Sequence, residues 1–109
     1  METVIIVEVL LYPKFLYVTL QWLRVQGYSF LYAEGPMQSV RIGPYHYLFR
    51  TYWFALREED ASAFILHWKD RNEEVANIVG TSRVRKSSLR EDLFNPRRGT
   101  WMEGSLIHF

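Results

Sequence analysis

The chain has 109 residues, 49% hydrophobic and 17% aromatic, with a formal net charge of +1. This is one domain's length with ample material for a single core, and nothing in it suggests a second domain. With no cysteine at all, a disulfide framework, thiolate catalysis and any cysteine-ligated zinc or iron–sulfur centre are excluded, and a reducing cytoplasm is the expected compartment.

Thr3 to Tyr12, TVIIVEVLLY, is an almost unbroken apolar run with one charge, the pattern of a buried central strand. It lies close to Met1 and has no basic leader, so a strand is expected and not a signal peptide. The apolar region from Val4 to Val25 is long enough to span a bilayer, but Glu8, Pro13, Lys14 and Arg24 interrupt it and no membrane association is expected. Pro13 suits a first helical position and Gly27 suits the left-handed residue past a helix end, which predicts a helix between them. Its expected core stripe is Phe15, Val18, Trp22 and Val25, widened by Leu16, Leu20 and Leu23.

Tyr28 to Ala33 reads as a second strand, Glu34-Gly35-Pro36 as a turn, and Met37 to Ile42 as a short hairpin partner closed by Gly43-Pro44. The segment from Tyr45 to Leu56, YHYLFRTYWFAL, is so rich in aromatic and aliphatic side chains that a long strand is predicted. Alternation sends Tyr45, Tyr47, Phe49, Thr51, Trp53 and Ala55 to one face and His46, Leu48, Arg50, Tyr52, Phe54 and Leu56 to the other. Neither set is polar, so both faces should be covered. Glu58, Glu59 and Asp60 place carboxylates where a helix start leaves unpaired N–H groups, and Ala61, Phe64, Ile65 and Trp68 then follow on one stripe.

This junction, Trp53-Phe54 on the strand, Glu59-Asp60-Ala61 at the turn into the helix, then Phe64, Leu66 and Trp68, resembles small accessory proteins encoded by tailed bacteriophages. The resemblance runs from Trp53 to Trp68 and rests on structural residue types. It implies a phage origin, with the host cytoplasm as the working compartment and a bacterial host protein as partner; it implies no particular activity.

A last strand is predicted at Val75 to Val79, ending at Gly80. The order then matches an α+β, ferredoxin-like β-α-β-β-α-β sandwich over residues 1–80, an antiparallel sheet with two helices on one face. Residues 81–109 read as a basic linker followed by an apolar C-terminal segment. Residues 1–80 hold seven basic and nine acidic side chains and residues 81–109 hold six and three, so a body of −2 carries a tail of +3. Such a tail suits only weak nucleic-acid contact. Ser88 to Phe94 is a candidate helix with Ser88 and Glu91 as a capping box. The final stretch, with Trp101, Met102, Leu106, Ile107 and Phe109, is too apolar to stay solvated and is expected to fold back on the domain or dock on a partner.

Candidates for chemistry are few. His46, His67 and His108 lie at no metal-ligand spacing, although His46 shares a strand face with Arg50 and Tyr52, a set able to hold an anion on an open face. The Glu58-Glu59-Asp60 triplet is explained by the helix start, and no phosphate loop or serine-nucleophile signature is present. A non-enzymatic role without cofactor or metal is therefore expected. The candidate interface residues are Tyr45, Tyr47, Arg50, Tyr52, Arg83, Arg85, Lys86, Trp101 and Phe109, since aromatic side chains and arginine dominate binding hot spots. They point to an interaction protein that binds and modulates or inhibits a bacterial protein. The alternative is a nucleic-acid-binding ferredoxin-like protein that stacks bases on Tyr45, Tyr47, Phe49 and Tyr52. A homodimer is expected in which the segment from Trp101 to Phe109 covers apolar surface of the same or the adjoining subunit.

Overall fold

The computed structural model describes residues 2–69, 76–91 and 98–105. In chain order the elements are β1 (Thr3–Leu11), a 3-10 turn (Pro13–Phe15), α1 (Leu16–Val25), β2 (Phe30–Ile42), β3 (Tyr45–Arg57), α2 (Glu58–Lys69), β4 (Ala76–Arg85), a 3-10 helix (Lys86–Glu91) and β5 (Met102–Glu103). The fold is α+β: a five-stranded sheet in the order β4-β1-β3-β2-β5, every neighbouring pair antiparallel, with two helices.

The apolar run of β1 occupies an interior position in that sheet, between β4 and β3. It pairs with β3 from Val4↔Arg57 to Leu11↔Arg50 and with β4 from Thr3↔Arg85 to Leu11↔Ala76. Because side chains alternate, one face of the sheet collects Val7, Val9 and Leu11 from β1, Phe30 from β2, and Tyr52, Phe54 and Leu56 from β3. Leu20 and Leu23 of α1 and Ala61, Phe64 and Trp68 of α2 close over it. The opposite face gathers Val4, Ile6, Trp53 and Ala55, and Leu89 of the 3-10 helix and Trp101 of the C-terminal segment cover it. Glu8 lies on this second face, where it accepts a hydrogen bond from the Trp53 indole at 3.0 Å. The double-sided apolar pattern of β1 and β3 is thus matched by two cores, one roofed by helices and one by the chain's end.

Pro13 stands in the turn that leads into α1, and Gly27 follows the helix with φ +77. Of the expected stripe of α1, Leu20 and Leu23 are buried and Phe15, Leu16 and Trp22 pack against the same core, but two positions differ. Val18 and Val25 are 53% and 79% exposed, whereas Thr19, Leu20 and Leu23 are buried. The α-helix begins only at Leu16, after the three residues of the 3-10 turn, and its inward side is the one that carries Leu16, Leu20 and Leu23; Thr19 is tolerated inside because its hydroxyl donates to the Phe15 carbonyl at 2.9 Å. For α2 the stripe Ala61, Phe64 and Trp68 is buried as its spacing requires, with Ile65 at its edge.

Two boundaries also move. Glu34-Gly35-Pro36 is not a turn between strands: β2 runs on from Phe30 to Ile42, and its register to β3 shifts between Glu34 and Met37, so the extra residue forms a bulge. The basic stretch after Gly80 is not a linker either. Arg83 and Arg85 belong to β4, where they sit opposite Ile5 and Thr3, so the domain boundary expected after residue 80 falls inside a strand. Ladder hydrogen bonds to β1 outweigh the polar composition of this edge strand, and a second register shift, between Glu8 and Val9 of β1, bends it. Of the helix expected at Ser88 to Phe94, a 3-10 segment ending at Glu91 is seen, and residues 92–94 lie outside the described residues.

The C-terminal segment wraps over the β2 edge. Gly99 N–H donates to the Glu34 carbonyl at 2.7 Å, Met102 and Glu103 pair with Tyr32 and Leu31, and Gly104 N–H donates to the Phe30 carbonyl at 3.2 Å. Ser105 Oγ accepts from the Phe30 N–H, and Arg24 Nε donates to the Gly104 carbonyl at 2.7 Å. The described part of this segment therefore folds back on its own domain, carrying Trp101 to the second face and Gly104 to the helical one.

Candidate functional site

The sheet is not equally supported along β2 and β3. β1 reaches β3 only as far as Arg50, and β5 reaches β2 only at Leu31 and Tyr32. Beyond those points, from Met37 to Phe49, the two strands pair only with each other among the described residues, so the hairpin projects past the body as a two-stranded ribbon. Gly43 and Pro44 close it as a two-residue turn, and the φ of +61 at Gly43 is a value that suits glycine.

A free two-stranded hairpin is marginal in water, so something must hold this one upright. Tyr12, the residue leaving β1, stacks on Phe49 with ring centroids 5.8 Å apart and 29° between planes, and meets the edge of Tyr47 at 6.1 Å and 75°. Phe15 packs against Tyr12 in turn, at 6.0 Å. On the other face Arg50 pairs with Glu34 at 3.2 Å. At the tip Arg41 Nε donates to the Gly43 carbonyl at 3.2 Å.

The root is therefore fixed and the outer half stays open. Tyr45 is 65% exposed, Leu48 58% and Met37 41%. Between the hairpin and the 3-10 turn lies a cleft of about 540 Å³ lined by Tyr12, Phe15, Ile42, Pro44, Tyr45 and Tyr47. Its chemistry is aromatic, with phenol hydroxyls for orientation, and among the described residues no carboxylate or cation lines it.

The structure separates the sequence-predicted residues. Tyr45 and Tyr47 are on this surface. Arg50 is at its root, held by Glu34. Tyr52 is a correction: it is only 2% exposed, enclosed by the helices, because its strand position faces the first core. Its hydroxyl pKa is raised by burial and by the Glu34 carboxylate, with Arg50 opposing. Phe49 is buried as well and lies on the other face of the strand, so Tyr45, Tyr47, Phe49 and Tyr52 do not form one open stacking platform. For the same reason His46, Arg50 and Tyr52 form no anion pocket. His67 lies flat on Trp22, with centroids 4.0 Å apart at 18°.

Arg83 pairs with Glu58 and Lys86 with Glu2, while Arg85 stays exposed on the β4 edge. Trp101 packs on the second core beneath the Arg98 guanidinium, 4.6 Å from its ring centroid. His108 and Phe109 lie outside the described residues. Tyr12, Phe15, Ile42 and Leu48 were not singled out as site residues in the sequence. The one available signal was the two-residue turn Gly43-Pro44, which makes Ile42 face Tyr45 and continues the pairing outward to Met37.

Comparison with protein-family models, curated proteins and solved structures finds no match to this chain.

At the start of α2, Asp60 has a raised pKa, through burial first and the neighbouring charge of Glu59 second, with Arg57 opposing. A raised carboxyl pKa means that the fold prefers the protonated form, so the stability it adds is present at acid pH and lost as pH rises through the shifted value. Asp60→Asn should therefore melt above the wild type at neutral pH, with the gap closing as the pH falls toward about 4. Glu58 and Glu59 remain in the variant to meet the helix dipole. Thermal melts across that range check it, and a constant gap would contradict the assignment. Among the described residues no group of three histidine or acidic side chains is arranged to hold a metal ion.

Proposed function

We propose that this is a non-catalytic interaction protein that uses the projecting β2–β3 hairpin to bind and modulate a bacterial protein. The observation that carries the reading is the open aromatic surface of Tyr45 and Tyr47 on a ribbon whose root is locked by Tyr12 and Phe49. Rigid aromatic anchors lose little entropy on docking, and that is what interface hot spots are made of. The resemblance of the Trp53 to Trp68 junction to tailed-phage accessory proteins supports a phage origin and a host protein as partner.

We also read the fold as ferredoxin-like with an appended strand: the order β1-α1-β2-β3-α2-β4 and the placing of β1 and β3 at the centre of the sheet support it. That reading does not favour nucleic acid here. The sheet face away from the helices is roofed by Leu89 and Trp101, and Arg83 and Lys86 already have carboxylate neighbours.

Tagged protein should capture one dominant protein from bacterial lysate. The double variant Tyr45→Ala, Tyr47→Ala should weaken that binding by tenfold or more, the usual loss for truncating hot-spot rings. Its circular dichroism spectrum should stay that of the folded wild type, since Tyr45 is mostly solvated and the Tyr12–Phe49 stack at the root is left in place. Recovery abolished by nuclease, or wild-type capture by the double variant, would overturn the proposal.

A further inference from the structure

The sheet ends in two unpaired edges among the described residues, and they are unlike. The outer edge of β4 carries Arg83 and Arg85 and bends at its register shift, devices that keep strand edges apart. The outer edge of β2 is divided. Its first half, Phe30 to Glu34, is covered by Gly99 to Gly104, and its second half, Met37 to Ile42, has no strand beside it.

The register tells which groups that second half offers. A two-residue turn makes Ile42 and Tyr45 a hydrogen-bonded pair, so Val40 and Gln38 also turn their backbone groups toward β3. Met37, Ser39 and Arg41 then turn their N–H and C=O groups outward, as an extended strand requires of its neighbour.

We infer that a second copy of this chain pairs with that edge, β2 against β2 in antiparallel fashion about a two-fold axis through Ser39. The residue pattern is self-complementary in that register. Ser39 faces Ser39, Arg41 faces Met37 and Gln38 faces Val40, so no like charges are opposed and the arginine stem lies along an apolar side chain. Pro36 and the Gly43-Pro44 turn mark where pairing must stop at either end. The product is a four-stranded ribbon, β3-β2-β2-β3, in place of two marginal hairpins. The inference does not rest on the proposed function: it uses the edge of the hairpin, leaves its aromatic face free, and is read without any other protein.

Light scattering over a concentration series tests it. The wild type should reach twice the protomer mass. Ser39→Asp and Ser39→Lys should each be monomeric, because they set like charges across the axis, and an equimolar mixture of the two should restore the dimer. Ser39 is exposed, so both variants should keep the wild-type circular dichroism spectrum. A second measurement does not depend on charge. The chain has no cysteine, so Ser39→Cys introduces a single thiol at a pair whose Cα separation of about 5.5 Å suits a disulfide. Mild oxidation should link Ser39→Cys into a covalent dimer far faster than Thr81→Cys on the β4 edge. A wild type monomeric throughout, a Ser39→Asp variant dimeric by itself, or equal cross-linking at the two edges would overturn the inference.

Discussion

Phe64→Ala should cost about 3–5 kcal/mol, the range for emptying a phenylalanine site in a closed core. Phe64 is fully buried where both helices meet the sheet. Its ring centroid lies 5.1 Å from Phe54 of β3, 6.2 Å from Trp22 of α1 and 6.4 Å from Trp68 of α2. Three elements lose a shared contact at once, and the rings left behind, one on a laddered strand and two on separate helices, cannot all move in to fill the void. Against a total of about 5–15 kcal/mol for a domain of this kind, the loss is a large fraction of the whole. Urea denaturation should show a midpoint falling sharply at unchanged slope. A midpoint within experimental error of the wild type would mean that α2 does not pack as described.

The second large effect is expected from adding a single methyl group. At Gly104 a Cβ would stand 2.6 Å from Cζ and 2.7 Å from Cδ2 of Phe30, and closer still to Cε2. Neither side can give way. Phe30 is completely buried, and Gly104 is tied through its N–H to the Phe30 carbonyl and through its own carbonyl to Arg24. Gly104→Ala should therefore release the C-terminal segment, at a cost of about 1–3 kcal/mol for overpacking. The uncovered Trp101 should show a red-shifted fluorescence component, and limited proteolysis should cut near residue 100 much faster than in the wild type. Wild-type protease resistance would show that the segment is anchored elsewhere.

How much of this was legible in the sequence depended on which period carried the signal. The two-sided apolar runs of β1 and β3 and the stripe of α2 could be read directly, since alternation and the 3.6-residue repeat are local properties. On α1 the leucines Leu16, Leu20 and Leu23 could be read in the same way, but Val18 and Val25 could not be placed, because the α-helix starts only at Leu16 after a 3-10 turn that no residue type announces. Gly35-Pro36 reads as a turn in any local scheme; that it is a bulge follows only from β3, whose long ladder holds β2 straight on either side. Arg83 and Arg85 read as a polar linker because the strand edge they occupy is solvated and their partners, Ile5 and Thr3 of β1, lie far back in the sequence. The site was half legible. Tyr45 and Tyr47 were visible as surplus rings, but Tyr52 is equally aromatic, and only its position beneath the helices separates a core residue from a surface one.

The position of β1 also governs how the chain comes off the ribosome. Its partners on either side are the last part of β3, Arg50 to Arg57, and the whole of β4, Ala76 to Arg85. The most apolar strand is thus made first and must wait for both neighbours, with its amide edges open on the two sides. A sheet assembled from such distant pairings closes slowly, on the millisecond-to-second scale of high-contact-order domains. During that wait Glu8, the one charge in the run, stands between TVIIV and VLL and keeps the nascent strand from being a continuous aggregation-prone stretch. In the finished protein the same carboxylate accepts a hydrogen bond from the Trp53 indole, so a residue that guards the unfinished chain becomes a cross-strand partner once β3 arrives.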